Sequence, residues 1–372
     1  MLPAIGREDR LVGEDPRITG MAACCALGGD ARTAWRNLLA GTTGLRPDGT
    51  GTVTGAMPHP PWEGEGDPWA ACIAGVAREA IGDAGEDPAR ALADPATGLV
   101  VATTKGDIEG LRRPGRPDSL GPFLRRVRRA LGHQGPAELV SAACASGSAA
   151  LVRADRLVRG RVCRRVLVIG ADRLDPFLVE GFRCLGAMAP GPCRPYDDER
   201  EGLSLGEAVA ALWIEGGSGP GVRLAGTGQS QDAAGMVRPD PSGGGLALAI
   251  RRALAEAGGG ATGAICGHGT ATEANDAMEA EAFRAVFGTS PPPVFGIKGA
   301  TGHTLGACGT LEALVSAIAL REGLLPPTAG HRAGSLGLDV TLSPRALPEG
   351  RILSVNSGFG GLNVALVLEA SR

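Results

Sequence analysis

The sequence predicts an α/β protein made of two similar halves. Apolar runs typical of buried strands alternate along the chain with segments of helical periodicity. The order of these segments repeats on either side of the glycine-rich stretch 216–221. A repeat of about 200 residues indicates duplicated halves rather than a solenoid, and 372 residues are enough for a large core.

Residues 16–215 form the predicted first half, and the polar residues 1–15, which contain Pro and Gly, are expected to form a flexible arm. Aliphatic and β-branched runs such as RRVLVIGAD mark the strands, and apolar residues at helical spacing mark the helices. The expected order is a strand at 17–27, a helix at 68–85, strands at 98–104 and 137–144, a helix ending at Gly160, and strands at 164–172 and 207–215.

Residues 222–372 form the predicted second half, which repeats this order. It is expected to contain a strand at 222–230, a helix at 245–259, strands at 263–270 and 293–302, a helix at 309–323, and strands at 350–357 and 362–370. Sixty glycines and an aromatic content of 3% indicate tight turns and close approach between these elements.

The composition excludes several classes of protein. Thirty-seven basic and 40 acidic residues give a net charge of -3, whereas a nucleic-acid-binding protein is normally far more basic. No apolar stretch approaches the roughly 18 residues that cross a bilayer, and residues 1–17 lack the basic and apolar regions of a signal peptide. We therefore expect no nucleic acid, no membrane and a cytoplasmic location, where nine cysteines without a metal or disulfide pattern stay reduced.

Cys144 is the candidate nucleophile. It lies in VSAACASGSAALVRADRLVRG (140–160), where a strand ends in a turn of small residues and a helix begins. The partial positive charge of a helix N-terminus favours the thiolate. Taken alone, the pattern also fits a buried structural cysteine, which is the commoner case.

Two of the five histidines lie in glycine-flanked turns after strand-like runs, His268 in GHGTATEAND and His303 in GATGHTLGACG. A neutral imidazole there can donate a hydrogen bond to a developing oxyanion, although a hydrogen-bonded loop histidine gives the same pattern. Zinc bound by Cys144 and both histidines is disfavoured, because no pair has helical ligand spacing and no carboxylate cluster accompanies them. The remaining histidines are expected to be solvated: His59, His133 and His331.

Only two of the 37 basic residues are lysines, Lys105 and Lys298, so each is a candidate for a specific role. Lys298 precedes the second histidine turn and Glu279 follows the first, so contact between Lys298 and Glu279 would hold both turns. A surface pair is the alternative. Phe359 lies in the glycine turn of SVNSGFGGLNVALVLE between two strands, where we expect a hinge or gate.

Together these segments resemble the β-ketoacyl-[acyl carrier protein] synthases of the thiolase superfamily. The motifs AACASG, HGTATEAND, IKGATGHTLGACG and NSGFGGLN occur in the family's order, and the likeness extends through 17–44 and 194–215. The resemblance is to the elongating Cys-His-His type, close to the type II fatty acid and polyketide ketosynthases. It implies a dimer with a thiolase-like fold, in which duplicated halves form a five-layered α/β/α/β/α sandwich.

The resemblance also implies a role for each site residue. Cys144 would hold the acyl chain as a thioester, while His268 and His303 would stabilise the enolate formed when malonyl carrier protein loses carbon dioxide. The implied supporting residues are Lys298 and Glu279 as a pair, Phe359 with the Cys144 N–H at the oxyanion hole, Thr270 and Thr272 at the pantetheine, and Ile108 in the acyl pocket. No metal or redox cofactor is implied, because the substrates arrive on the phosphopantetheine of acyl carrier protein.

Some segments depart from the family pattern. NSGFGGLN is shorter than the usual NSFGFGGTN, Asp107 and Glu109 stand where glycines are common, and the chain is shortened near 112–136 and 187–193. These regions shape the acyl tunnel and the dimer contact. The acyl chain, the pathway and the choice between a homodimer and a heterodimer with a second ketosynthase-like subunit therefore stay open.

Two arginine-rich segments are candidates for docking the acidic carrier protein. Residues 111–129 contain seven arginines and one aspartate, so their charge complements such a partner. A solvated helix face is an equal alternative. The same two interpretations apply to a second cluster, formed by Arg153, Arg156, Arg159, Arg161, Arg164 and Arg165.

The implied function is the decarboxylative condensation of malonyl carrier protein with an acyl chain on Cys144, in type II fatty acid or polyketide biosynthesis, polyene biosynthesis included. The alternatives are a non-enzymatic or weakly active chain-length partner of a ketosynthase, which normally lacks the cysteine, and another thiolase-fold acyltransferase. A thiolase would have a second cysteine in the C-terminal glycine loop, and a starter-type synthase would have Asn in place of His303. A cysteine hydrolase would need an orienting Asn or Asp.

Overall fold

The computed structural model describes residues 15–58, 67–106, 108, 119–232 and 234–370. The strands in these ranges are β1 Pro16–Cys25, β2 Arg46–Pro47, β3 Val53–Thr54, β4 Thr97–Ala102, β5 Ala137–Val140, β6 Arg165–Asp172, β7 Ala208–Gly216, β8 Val222–Gln231, β9 Ala264–Cys266, β10 Val294–Phe295, β11 Leu324–Leu325, β12 Arg345–Ala346, β13 Arg351–Ser357 and β14 Leu362–Ala370. The helices are α1 Ala31–Leu39, α2 Pro68–Asp83, α3 Pro88–Ala93, α4 Leu120–Leu131, α5 Ser146–Arg159, α6 Pro176–Cys184, α7 Gly244–Glu256, α8 Glu273–Phe287, α9 Lys298–Thr301 and α10 Cys308–Glu322, with a 3-10 turn at Leu305–Ala307.

Ten of these strands form one mixed sheet in the order β10-β9-β13-β14-β8-β1-β7-β6-β4-β5. The two halves of the sheet meet where β1 pairs with β8, through Arg17 with Arg223 and Ile18 with Val222. Within each half the three outer strands are parallel, and the next two are antiparallel to their neighbours. The predicted duplication is therefore confirmed in strand order and in strand direction.

Helices form three layers around the two halves of the sheet. α5 and α10 pack against each other between the halves, and α10 is buried along nearly its whole length. α2 and α4 cover the outer face of the first half, while α7 and α8 cover that of the second. This is the five-layered α/β/α/β/α sandwich that the family resemblance implies.

Glycine lets the two central helices approach closely. A Cβ at Gly309 would lie 2.3 Å from the backbone nitrogen of Ser148, and a Cβ at Gly147 would lie 2.5 Å from the backbone of α10. A larger residue at either position would force the helices apart. Because Cys144 precedes α5 and His303 precedes α10, this contact brings the two residues to one place.

Several local predictions differ from the structure. The strand predicted at 137–144 ends at Val140, because Ala143 turns the chain with a φ of 49°. The strand predicted at 293–302 is limited to β10, since the helical turn α9 follows it. His133 was expected in solvent but is buried, with one ring nitrogen 2.9 Å from the carbonyl oxygen of Thr97.

The stretch 216–221 connects the end of β7 to the start of β8. Residues 1–14 of the predicted arm and His59 lie outside the described residues. Within the described ranges, no helix combines the length and apolarity that a membrane crossing requires.

Candidate active site

Cys144 lies in the tight turn between β5 and α5. Ala143, with its φ of 49°, adopts a left-handed conformation that is strained for a residue with a side chain. The Ser146 hydroxyl holds this turn, because it accepts the N–H of Ala142 at 2.8 Å and donates to the carbonyl of Ala143 at 2.6 Å. The turn directs Cys144, which is 6% exposed, to the wall of a cavity.

His268 follows β9 in a turn that Glu279 holds. The fully buried Glu279 carboxylate accepts the backbone N–H groups of His268 and Gly269 at 2.6 and 2.7 Å. Asn275 and Tyr196 also donate to it, at 2.8 and 3.2 Å. Burial raises the pKa of Glu279 to about 8. Glu279 therefore fixes the backbone of the turn that presents the imidazole.

Lys298 forms its ion pair with Glu312 on α10, so the predicted pairing with Glu279 is wrong. Both side chains of the observed pair are almost completely buried. Burial alone would lower the pKa of Lys298, but the Glu312 carboxylate outweighs burial and raises it. The sequence analysis missed Glu312, although a carboxylate just after the first turn of a mostly apolar helix was a usable signal.

Two donors fix the tautomer of His268. Its Nδ1 lies 3.2 Å from the Lys298 ammonium and 3.1 Å from the side-chain nitrogen of Asn356. Both groups donate, so Nδ1 accepts and the ring proton lies on Nε2. Burial, with the charge of Lys298, lowers the pKa of His268 well below its ordinary value, so the ring is neutral.

His303 has the same tautomer for a different reason. The backbone N–H of Leu305 donates to its Nδ1 at 3.1 Å, which leaves the ring proton on Nε2. Leu305 has a φ of 56°, a second strained position beside the site. The rings of His268 and His303 meet edge to face, with centroids 5.5 Å apart. Both rings can therefore donate an Nε2–H to one ligand.

The sulfur of Cys144 and one ring nitrogen from each of these histidines lie within 4.8 Å of one another. Sulfur and imidazole nitrogen are donors that zinc accepts. A protonated Nε2, however, has no lone pair to offer a cation, and the ammonium of Lys298 opposes a second positive charge beside His268. The cluster therefore fits a nucleophile with two hydrogen-bond donors better than a metal centre.

The three residues line a cavity of about 670 Å³. Thr270 and Thr272 also line it, with their hydroxyl oxygens 2.8 Å apart. The exposed part of the lining combines the charged side chains of Arg238 and Glu273 with four large apolar ones: Leu185, Met236, Val237 and Phe359. A cavity with apolar side chains at its mouth and a polar interior suits a substrate with an acyl chain and a polar arm.

Phe359 lies at the rim of this cavity, in the turn between β13 and β14. It is 37% exposed and stacks on Phe182 of α6, with ring centroids 5.8 Å apart. The neighbouring Gly360 N–H donates to the carbonyl of Met236 at 2.8 Å, which connects the turn to the loop after β8. Ile108 is buried but is not among the described residues that line the cavity, and residues 107 and 109–118 lie outside the description.

Ion pairs within the chain engage half of the second arginine cluster: Arg153 with Glu138, Arg159 with Asp155, and Arg165 with Asp94. These three guanidinium groups are therefore engaged within the chain, although the side chain of Arg153 stays 41% exposed. In the segment 111–129, α4 presents Arg125 and Arg129 to solvent, and neither has a polar partner among the described residues. Residues 111–118 of that segment lie outside the described ranges.

Two family models match this chain: the β-ketoacyl synthase N-terminal domain over residues 59–218 and the C-terminal domain over 222–332. The ketoacyl synthase alpha subunit of the tetracenomycin polyketide synthase from Streptomyces glaucescens is 32% identical over 337 residues, which are 78% of each chain. A β-ketoacyl synthase from Burkholderia phymatum has a TM-score of 0.87 at 26% identity, with 96% of this chain and 100% of that chain covered. A ketosynthase in complex with its chain length factor from Xenorhabdus doucetiae has a TM-score of 0.82 at 26% identity, with 96% and 98% covered. The sequence motifs, the duplicated fold and both domain matches agree, and the chain therefore belongs to the β-ketoacyl synthase family.

Proposed function

We propose that this protein joins an acyl chain held on Cys144 to malonyl carrier protein with loss of carbon dioxide. The observation that carries the proposal is the convergence of the Cys144 sulfur with the rings of His268 and His303 in one cavity. In each ring Nδ1 already accepts a hydrogen bond, so the ring proton lies on Nε2. The site thus combines a nucleophile with two neutral N–H groups.

In the first step, the Cys144 sulfur attacks the thioester carbonyl of an acyl chain carried on phosphopantetheine. A new thioester forms on Cys144, and the pantetheine sulfur leaves and takes up the proton as a thiol. The backbone N–H groups of Cys144 and Phe359 stabilise the oxyanion of this step. The strained turn at Ala143 fixes the sulfur for attack.

In the second step, the malonyl group loses carbon dioxide. The bond to the carboxylate breaks, and its electron pair forms an enolate whose oxygen accepts hydrogen bonds from His268 and His303. The enolate carbon attacks the Cys144 thioester, and the cysteine sulfur leaves as the β-ketoacyl product forms. Because both imidazoles are neutral donors, they stabilise the enolate without protonating it.

The other site residues position these groups and the substrate. Lys298 contacts the imidazole of His268, and Glu279 accepts the backbone N–H of the same residue. Both side chains are buried. Thr270 and Thr272 bind the pantetheine arm along the cavity wall. Ile108 remains a proposed part of the acyl pocket. That the reaction needs no metal or redox cofactor, and that it takes place in the cytoplasm, remain predictions.

The partners of the reaction are an acyl carrier protein and a second ketosynthase-like subunit. The exposed guanidinium groups of Arg125 and Arg129 provide positive charge for an acidic carrier protein. β5 is at the edge of the described sheet, with β4 on one side, so its other edge can pair with a second subunit. The relative from Xenorhabdus doucetiae, which is in complex with its chain length factor, supports a heterodimer as an alternative to a homodimer.

The test is the intact mass of the purified protein after exposure to carrier proteins charged with saturated, polyunsaturated or aromatic acyl groups. We expect a mass gain equal to the acyl group in the wild type and none in Cys144→Ala, which should remain folded. The chain that loads best identifies the substrate class. An adduct that persists in Cys144→Ala, or the absence of any adduct even with candidate partner subunits present, would favour the non-enzymatic alternative or another acyltransferase.

A further inference from the structure

Asp172 is a buried carboxylate that the steps above do not use. It lies at the end of β6 and is 2% exposed. It accepts the Thr103 hydroxyl at 2.8 Å, the Thr104 N–H and hydroxyl at 2.8 and 2.9 Å, and the Gly306 N–H at 2.8 Å. The ammonium of Lys105, whose side chain is 9% exposed, completes the group at 3.2 Å.

The bond from Gly306 connects Asp172 to the site. Gly306 follows Leu305, which holds the strained φ of 56° and donates its N–H to Nδ1 of His303. A leucine keeps this conformation only where surrounding contacts hold it. Asp172 supplies such a contact at the very next N–H, and a Cβ at Gly306 would lie 2.7 Å from the Asp172 carboxylate.

We propose that Lys105 and Asp172 are positioning residues for His303. Asp172 holds the 305–306 turn so that the Leu305 N–H keeps His303 in its Nε2–H tautomer, and Lys105 neutralises the buried carboxylate. Each of the two lysines then pairs with a buried carboxylate next to one active-site histidine: Lys298 with Glu312 near His268, and Lys105 with Asp172 near the turn that follows His303. This inference rests on the proposed function, because it concerns the donor to the enolate.

Three variants test it: Asp172→Leu, which removes the acceptor at nearly constant size, Lys105→Met, and the two combined. Acyl loading on Cys144 and carbon dioxide release from malonyl carrier protein are measured separately. We expect loading within twofold of the wild type in each variant. We expect the kcat of carbon dioxide release to fall at least tenfold in Asp172→Leu and in the double variant, with KM nearly unchanged, and to fall less in Lys105→Met, which keeps the bond from Gly306.

A spectroscopic measurement reports the tautomer directly. In protein with ¹⁵N-labelled histidine, Nδ1 of His303 should give the signal of an unprotonated nitrogen in the wild type and shift towards a mixture of tautomers in Asp172→Leu. The matched control is Asp155→Leu on α5, because Asp155 is equally buried and paired with Arg159 but contacts neither active-site histidine. The control should change neither carbon dioxide release nor the His303 signal.

Each outcome has a distinct meaning. Wild-type carbon dioxide release and an unchanged His303 signal in Asp172→Leu would overturn the inference and leave the proposed function intact. A parallel loss in Asp155→Leu would also overturn it, because the effect would then be general destabilisation. If a single variant does not fold, the double variant leaves no unpaired charge and carries the same prediction. Failure of the proposed function would instead show in the wild type, as no acyl loading.

Discussion

Lys298 and Glu312 form a buried ion pair beside His268, and Asn356 joins the pair to the ring. Asn356 donates to the Glu312 carboxylate at 2.6 Å and lies 3.1 Å from Nδ1 of His268. The same lysine reaches that Nδ1 at 3.2 Å. Residues of α9, α10 and β13 therefore set the tautomer of His268, which lies on none of these three elements.

Replacing Glu312 by Gln should destabilise the fold strongly. Gln keeps the shape of the side chain but leaves the buried Lys298 ammonium without its counter-charge, and breaking a buried pair in this way costs about 3–5 kcal/mol. We expect a decrease of that size in the free energy of unfolding, measured by urea denaturation at pH 7.

The control for this variant is the same substitution in an exposed pair. Glu281 pairs with Arg284 at 2.6 Å on α8, with both side chains well exposed. Glu281→Gln should change the free energy of unfolding by at most about 1 kcal/mol. Equal effects of the two substitutions on the free energy of unfolding would show that Glu312 does not stabilise the buried Lys298 ammonium.

Glu279 should make stability depend on pH. Its pKa is about 8 in the folded protein against an ordinary value of 4.5. Between these values the folded protein holds a proton that the unfolded chain has released, so stability is greatest below pH 4.5 and falls as the pH rises to 8. Glu279→Gln removes this contribution, and the slope should decrease by up to about 1.4 kcal/mol per pH unit.

Urea denaturation of both proteins at pH 5, 6, 7 and 8 measures the difference in slope. The charge of Asp276, whose own pKa burial raises to about 6, helps to raise the pKa of Glu279, so the difference in slope reports the coupled pair. Identical slopes for wild type and Glu279→Gln would show that Glu279 is ionised in the folded protein throughout this range.

The sequence was sufficient to predict the fold and the turns that hold the site residues. The repeated order of strands and helices indicates duplicated halves, and glycine-flanked motifs identify Cys144, His268 and His303. A strand-to-turn pattern is local, so it can be recognised within about ten residues.

The partners of the charged residues were not predictable in the same way. Which carboxylate meets Lys298 depends on how α10 packs between the two halves of the sheet. The contact between Asp172 and Gly306 joins the two halves of the chain. Such pairings follow from tertiary packing, which no local pattern reports.

Gly309 should tolerate no side chain. Its Cβ would lie 2.3 Å from the backbone nitrogen of Ser148, so Gly309→Ala must separate α5 from α10. Overpacking of this kind costs about 1–3 kcal/mol or more. We expect a loss of at least that size in urea denaturation, together with slower condensation because the Cys144 turn moves relative to His303.

Gly82 on α2 provides the matched control. Nothing lies within 4 Å of its Cβ position, so Gly82→Ala has room. Helix propensity predicts a gain of about 0.5–1 kcal/mol. If both glycine variants lost stability equally, close packing of the central helices would not be the cause.

His303→Ala should separate the two half-reactions. In the proposed mechanism, acyl transfer to Cys144 needs only the sulfur and the oxyanion donors, whereas the enolate loses one of its two N–H donors when the ring is removed. Losing one such donor costs about 10²–10³ in rate. We therefore expect acyl loading near the wild-type level by intact mass and a decrease of that size in carbon dioxide release.

His331→Ala is the control, because its half-buried ring contacts the Pro195 carbonyl and does not line the cavity, so both reactions should continue. Carbon dioxide release at the wild-type rate in His303→Ala would mean that His268 alone stabilises the enolate.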